Sequence, residues 1–166
     1  MEPAVKPAVS ATRSGVVGVL ATVGTLESAR FAALLEQYAG DVEIVTQACP
    51  GLVEQVEAAD LKSAATRELV ARYARPLVER GADTIVLGCT HYPFLKPLIA
   101  EIVGPRVHLI DTGEAVARQV VRRLPEALIG RIDLQPTERF WTTGDARSAA
   151  RIIGRLWGRA VEVEAL

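Results

Sequence analysis

At 166 residues the chain is long enough for one domain with a sizeable core, and its 49% apolar composition argues against disorder. With 19 basic and 20 acidic residues the net charge is −1, so no basic excess is available to neutralise phosphates and a nucleic-acid partner is not expected. Two cysteines, Cys49 and Cys89, do not make a disulfide-stapled secreted domain.

The opening Met1-Glu2-Pro3-Ala4-Val5-Lys6-Pro7 has no apolar signal core. The longest apolar run, Val16 to Leu26, is interrupted and too short to span a bilayer. The expectation is a soluble cytoplasmic protein with no membrane partner. Residues 1–14, rich in Pro and Ala, read as a connector, or as a helix beginning after Pro3. Gly15 to Thr22 is a near-continuous apolar strand of the kind found in parallel sheets. Val23-Gly24-Thr25 turns into a helix with Leu26, Ala29, Ala33, Leu34 and Tyr38 on one stripe, ended by Gly40. Val42-Glu43-Ile44-Val45 is the next strand, and Cys49-Pro50-Gly51 leads into a helix through Leu52, Val53 and Val56. A longer helix spans about Ser63 to Arg80, with Pro76 marking a bend or restart.

Thr84-Ile85-Val86-Leu87 is short, apolar and β-branched, as suits a buried strand. Gly88 permits a sharp turn, Pro93 opens a helix, and helical spacing continues to Val103. Cys89 therefore falls between a strand's carboxyl end and a helix N-terminus, where open α/β sheets bind ligands and where a thiolate is favoured. Val107 to Ile110 is a further strand, and Asp111-Thr112-Gly113 starts a helix carrying Val116, Val120 and Val121. This alternation implies parallel βαβ units with helices on both faces of one sheet, over residues 15–123. Residues 124–137 hold the breakers Pro125, Gly130 and Pro136 and read as a linker. In residues 138–166, Arg139-Phe140-Trp141-Thr142 is a strand expected to pack apart from the main sheet. A helix then runs from Asp145 to Trp157, with Ala149, Ile152, Ile153 and Leu156 on one face.

No dinucleotide fingerprint, phosphate-binding loop, H-E-x-x-H or paired C-x-x-C is present, so neither a nucleotide nor a metal site is indicated. None of Lys6, Lys62 and Lys96 follows a strand in a setting that favours a Schiff base, so pyridoxal phosphate is not suggested. The strand-to-helix junctions instead gather Thr22, Thr25, Cys89, Thr90 and His91 on one sheet edge. Hydroxyls and helix-terminal amides there suit a small carboxylate or amino substrate. Each threonine is about equally well read as a helix cap, and a lone Cys or His is more often structural. Their adjacency tips Cys89 and His91 toward chemistry.

The segment Leu87-Gly88-Cys89-Thr90-His91-Tyr92-Pro93 resembles the second catalytic-cysteine signature of glutamate racemases, in the aspartate/glutamate racemase superfamily. The resemblance continues through Glu2 to Ala8, Val19 to Thr25, Cys49-Pro50 to Glu57, and Phe140 to Asp145. It implies cofactor-independent interconversion of L- and D-glutamate, supplying D-glutamate for peptidoglycan. Cys89 would be one of two opposed thiol bases, acting on the L-glutamate face. Thr90 would bind substrate and His91 would bind it and assist the thiol. Thr22 and Thr25 would contact substrate, and Glu57 would sit near the site, although by itself it reads as a solvated helix residue.

The family's first half carries Asp-Ser, Tyr-Gly and Cys-Asn-Thr elements, and none of these dipeptides occurs here. Cys49 lies much closer to Cys89 than the family's two thiols lie to each other, and its Cys-Pro context matches a structural position. The resemblance thus implies a second domain plus the strand and helix of an otherwise missing first domain, inactive alone and prone to self-associate, a homodimer being open. The alternatives are a non-catalytic module binding small carboxylates and a Cys-His hydrolase, the latter lacking a third orienting group and an oxyanion signature.

Overall fold

The computed structural model describes residues 2–125 and 137–166, with side chains from Ala4 onward. Most of the linker expected at 124–137 lies outside the described residues. Four parallel strands, β1 (Val16–Ala21), β2 (Glu43–Ala48), β3 (Thr84–Leu87) and β4 (His108–Ile110), form a sheet in the order β2-β1-β3-β4. Helices cover both of its faces, as the alternating pattern predicts.

The two faces follow from the period of two along each strand. Val17, Val19 and Ala21 of β1, with Val86 of β3, pack against α1 (Glu2–Ala11) and α3 (Ala29–Tyr38). Leu20, Ile85 and Leu87 face α4 (Leu52–Glu57), α5 (Ala64–Glu79), a 3-10 turn at Tyr92–Leu95 and α6 (Lys96–Val103). Gly18 lies between Val17 and Val19 on β1, and a Cβ there would stand 2.9 Å from Leu77 Cδ1 and 3.2 Å from Ile85 Cγ1. Its missing side chain is what lets α5 press onto the sheet.

Several local expectations are corrected. Of the two readings of the first residues the helix holds and the connector does not: residues 2–11 are helical and belong to the domain's core, with Ala4, Val5 and Ala8 at 0% exposure. The single helix expected after Thr22 is two, α2 (Val23–Leu26) and α3, because the Ser28 hydroxyl accepts from Phe31 N at 3.2 Å and caps a new start. Of the expected stripe Leu34 is buried and Leu26 and Tyr38 pack on the same cluster, while the restart adds Phe31 and leaves Ala29 and Ala33 exposed. α5 runs through Pro76 without a restart.

The strand after the linker packs apart from the main sheet, as expected. β5 (Phe140–Thr142) pairs in parallel with β6 (Val163–Ala165), a strand the sequence reading missed. Between them lies α8 (Ala146–Trp157), whose Trp157 ring meets Phe140 edge-on at 5.6 Å. α7 (Gly113–Arg123) exposes Val116, Val120 and Val121, and Leu124 just beyond it is exposed too.

Candidate active site

The strand register decides what meets at the carboxyl edge. β1 and β3 pair with Leu20 opposite Leu87, and Gly88 N donates to Leu20 O at 2.8 Å. Continued beyond the strands, that register brings Thr22 level with Cys89. Here the helix expected at Pro93 is a 3-10 turn, and α6 begins only at Lys96. Phe94 N donates to His91 O and Tyr92 N to Cys89 O, both at 3.2 Å, so the signature folds back on itself.

That fold aligns three groups. The half-buried Cys89 sulfur is 3.7 Å from His91 Nδ1, and His91 Nε2 is 3.4 Å from Glu57 Oε1 at the end of α4. Thr90 Oγ1 also approaches His91 Nδ1, at 3.5 Å. One imidazole thus stands between a thiol and a carboxylate. Such a line can pass a proton between sulfur and ring, with the carboxylate orienting the ring. Glu57, which by itself reads as a solvated helix residue, is therefore brought to His91 while its side chain stays 65% exposed.

Thr22 and Thr25 are placed differently. Their hydroxyls lie 2.9 Å apart, and the Thr22 hydroxyl accepts from Thr25 N at 3.3 Å to cap α2. Both the capping and the site readings of Thr22 are thus compatible with its position. With Ser28 and Arg30 they line a groove of about 730 Å³ along α3. Glu57, Thr90, His91 and Phe94 line a second groove, of about 620 Å³. Cys89 lines neither of the two.

The second groove contains groups the sequence reading placed elsewhere. Its far wall is Ala149, Ile152, Ile153 and Leu156 of α8. Leu156 also packs on the core beneath the sheet. The apolar spacing of α8 was legible, but a spacing names no destination, so its place opposite His91 was not.

Cys49 is unsuited to acid/base work. It is 2% exposed, and its thiol donates to Gln47 O at 3.3 Å. Burial pushes its pKa up to about 12, only partly offset by Tyr92 and the Ala21 backbone. Among the described residues no three His, Cys, Asp or Glu side chains cluster as metal ligands, and no helix is long and apolar enough to cross a membrane.

Residues 1–120 match the family model for Asp/Glu/hydantoin racemases. The chain is 55% identical, over 99% of its length, to the glutamate racemase of Pseudomonas entomophila, of which it covers 62%. It is similar in structure to glutamate racemase isoform RacE1 of Bacillus anthracis, with a TM-score of 0.84 and 32% identity over 99% of this chain and 62% of that one. It also resembles the Escherichia coli glutamate racemase solved with L-glutamate and the activator UDP-MurNAc-Ala, at a TM-score of 0.75 and 25% identity over 96% of this chain and 60% of that one. The chain thus spans about three-fifths of the length of these relatives.

Proposed function

The chain belongs to the Asp/Glu/hydantoin racemase family, and on that premise we propose that it contributes one acid/base thiol, Cys89, to a cofactor-independent racemisation of glutamate that supplies D-glutamate for peptidoglycan. The observation that carries this reading is the line Glu57–His91–Cys89 just beyond the carboxyl end of β3. His91 takes the thiol proton and Glu57 orients its ring. The Cys89 thiolate removes the Cα proton of L-glutamate, leaving a carbanion whose electron pair is shared with the adjacent carboxylate. A second acid then delivers a proton to the opposite face. Thr22, Thr25 and Thr90 hold the substrate's polar groups, with L-glutamate in the E. coli relative supporting the choice of substrate.

Two opposed groups are required, and this chain offers one. Cys49 is buried and protonated, so the second base comes from polypeptide equivalent to the part of the relatives that this chain does not match. Losing the positioning that such a part supplies costs several kcal/mol of barrier on its own. The exposed Val116, Val120, Val121 and Leu124 suit a surface that further polypeptide covers.

The test follows racemisation of glutamate by polarimetry, with the chain alone and with the unmatched N-terminal portion of a complete relative added. Activity only on addition supports the proposal. Racemisation by the unassisted chain, abolished by Cys89→Ala, would overturn the one-thiol account. No activity in either arm, with glutamate binding retained, would favour a module that binds small carboxylates without turning them over. The buried second thiol is what gives that second reading its weight.

A further inference from the structure

Glu57 is the last residue of α4, a helix of six residues and fewer than two turns. A helix that short does not fix its own end, so the place of Glu57 depends on what holds the chain beyond it. Ala58 caps the helix, and Ala59 then reverses the chain at a φ of 55°, the one non-glycine residue with positive φ among the described residues. Ala59 N donates to Val56 O at 2.8 Å and Asp60 N to Gln55 O at 2.9 Å, the paired bonds of a left-handed helix ending. Glycine is the usual residue there, because an L side chain is strained in that region. An ending made with alanine needs support from outside, and α5 supplies it. Thr66 is 0% exposed, and its hydroxyl forks between Asp60 O at 2.9 Å and Gln55 Oε1 at 3.0 Å.

We infer that Thr66 is a positioning residue for Glu57: its hydroxyl fixes the reversal at the end of α4 and so holds the Glu57 carboxylate 3.4 Å from His91. The forked bond ties both sides of the reversal to one buried point on α5. Capping does not account for that hydroxyl, because the start of α5 is already capped by Ser63, whose Oγ accepts from Thr66 N at 3.2 Å. Ser63 N in turn donates to Asp60 Oδ1 at 3.1 Å, so α5 grips the turn at its side chain as well as its carbonyl. Glu57 itself is mostly exposed and has no such anchor of its own. The inference rests on the reading of Glu57–His91–Cys89 as the reacting line.

The experiment uses the full chain, joined by the complementary portion for turnover and alone for NMR. Thr66→Val, which keeps the shape and removes the hydroxyl, should lower kcat for glutamate by about fivefold at unchanged KM, the worth of one ordinary hydrogen bond. Thr66→Ser, which keeps the hydroxyl, should stay within about twofold. Glu57→Gln should lower kcat at least as far as Thr66→Val, and the double variant no further than Glu57→Gln alone. The chain has two histidines, so their ring resonances at fixed pH separate positioning from general loosening. Thr66→Val and Glu57→Gln should shift His91 in the same direction and leave His108, exposed at the start of β4, unmoved. Should Thr66→Val fail to fold, Gln55→Met carries the same test, since it removes one arm of the fork and should shift His91 alone. Turnover and a His91 resonance unmoved by these substitutions, a shift shared by His108, or additive losses in the double variant would overturn the positioning role. Glu57→Gln without effect on kcat would instead overturn the reading on which that role rests.

Discussion

The two ends of the main sheet handle their polar groups in opposite ways. At the amino end, Asp83 accepts from Thr12 Oγ1 at 2.6 Å, from the Arg13 and Ser14 amides at 2.8 and 2.9 Å, and from Thr84 Oγ1 at 3.1 Å. Burial alone would raise this carboxyl's pKa, but the four donors outweigh it and hold the value down to about 2. At the carboxyl end, Cys89, His91 and Glu57 touch one another only at 3.4 to 3.7 Å, and Glu57 stays mostly exposed. Saturated hydrogen bonds fasten the α1–β1 loop to β3. Unsaturated ones leave groups free to meet a substrate. The difference separates an end that stabilises from the end proposed to react.

The strongest way to break that comparison is at the reactive end. With the complementary portion supplied, His91→Asn should lower the turnover rate by about 100-fold or more, the usual worth of a positioned acid/base group. Its melting temperature should stay close to that of the unsubstituted chain. A large loss of stability would mean that the carboxyl end also carries the fold.

At the stabilising end, Asp83→Asn should cost about 2 kcal/mol, because two backbone amides lose a charged acceptor. Denaturant titration measures this, and Cys89 alkylation should be unaffected. The sign with pH is fixed. Asp83 is more acidic folded than unfolded, so its contribution is complete above the unfolded value of about 3.9 and fades as pH falls toward 2. The Asn variant should lose that acid-side slope.

Between the ends, Gly18→Ala should destabilise by about 1 to 2 kcal/mol, since the added methyl meets Leu77 at 2.9 Å, measured by chemical denaturation. Smallest of all, Lys96→Met should cost less than about 1 kcal/mol in the same titration, although Lys96 lies 2.7 Å from Asp111. Lys96 is half in solvent, and Asp111 keeps the Gly113 amide as a second donor.

What the sequence made legible follows the same division. Apolar runs and glycine turns located all four strands of the main sheet, because a strand buried on both faces leaves an unbroken signal at Val16–Ala21 and Thr84–Leu87. Cys89, Thr90 and His91 were singled out because they are consecutive. The stripe after Thr22 held at Leu26, Leu34 and Tyr38 but erred at Ala29 and Ala33 and lacked Phe31, because one serine hydroxyl restarted the helix, an event whose angular consequence no periodicity reports. β6 was missed because Val163-Glu164-Ala165 is three residues long and half polar. The approach of α8 to His91 depends on tertiary packing alone. That Glu57 would sit near the site was expected only through the family resemblance, and its approach to His91 was not read from the sequence at all.

The central claim, that Cys89 is one of two opposed bases, is met most directly by washout of the Cα proton in deuterated water. L-glutamate and D-glutamate are followed separately by NMR, using the chain joined by the complementary portion and the same pair with Cys89→Ser. The account predicts that this substitution abolishes exchange from L-glutamate, by about 1,000-fold or more, because the base facing that proton is gone. Exchange from L-glutamate persisting at the unsubstituted rate would contradict it.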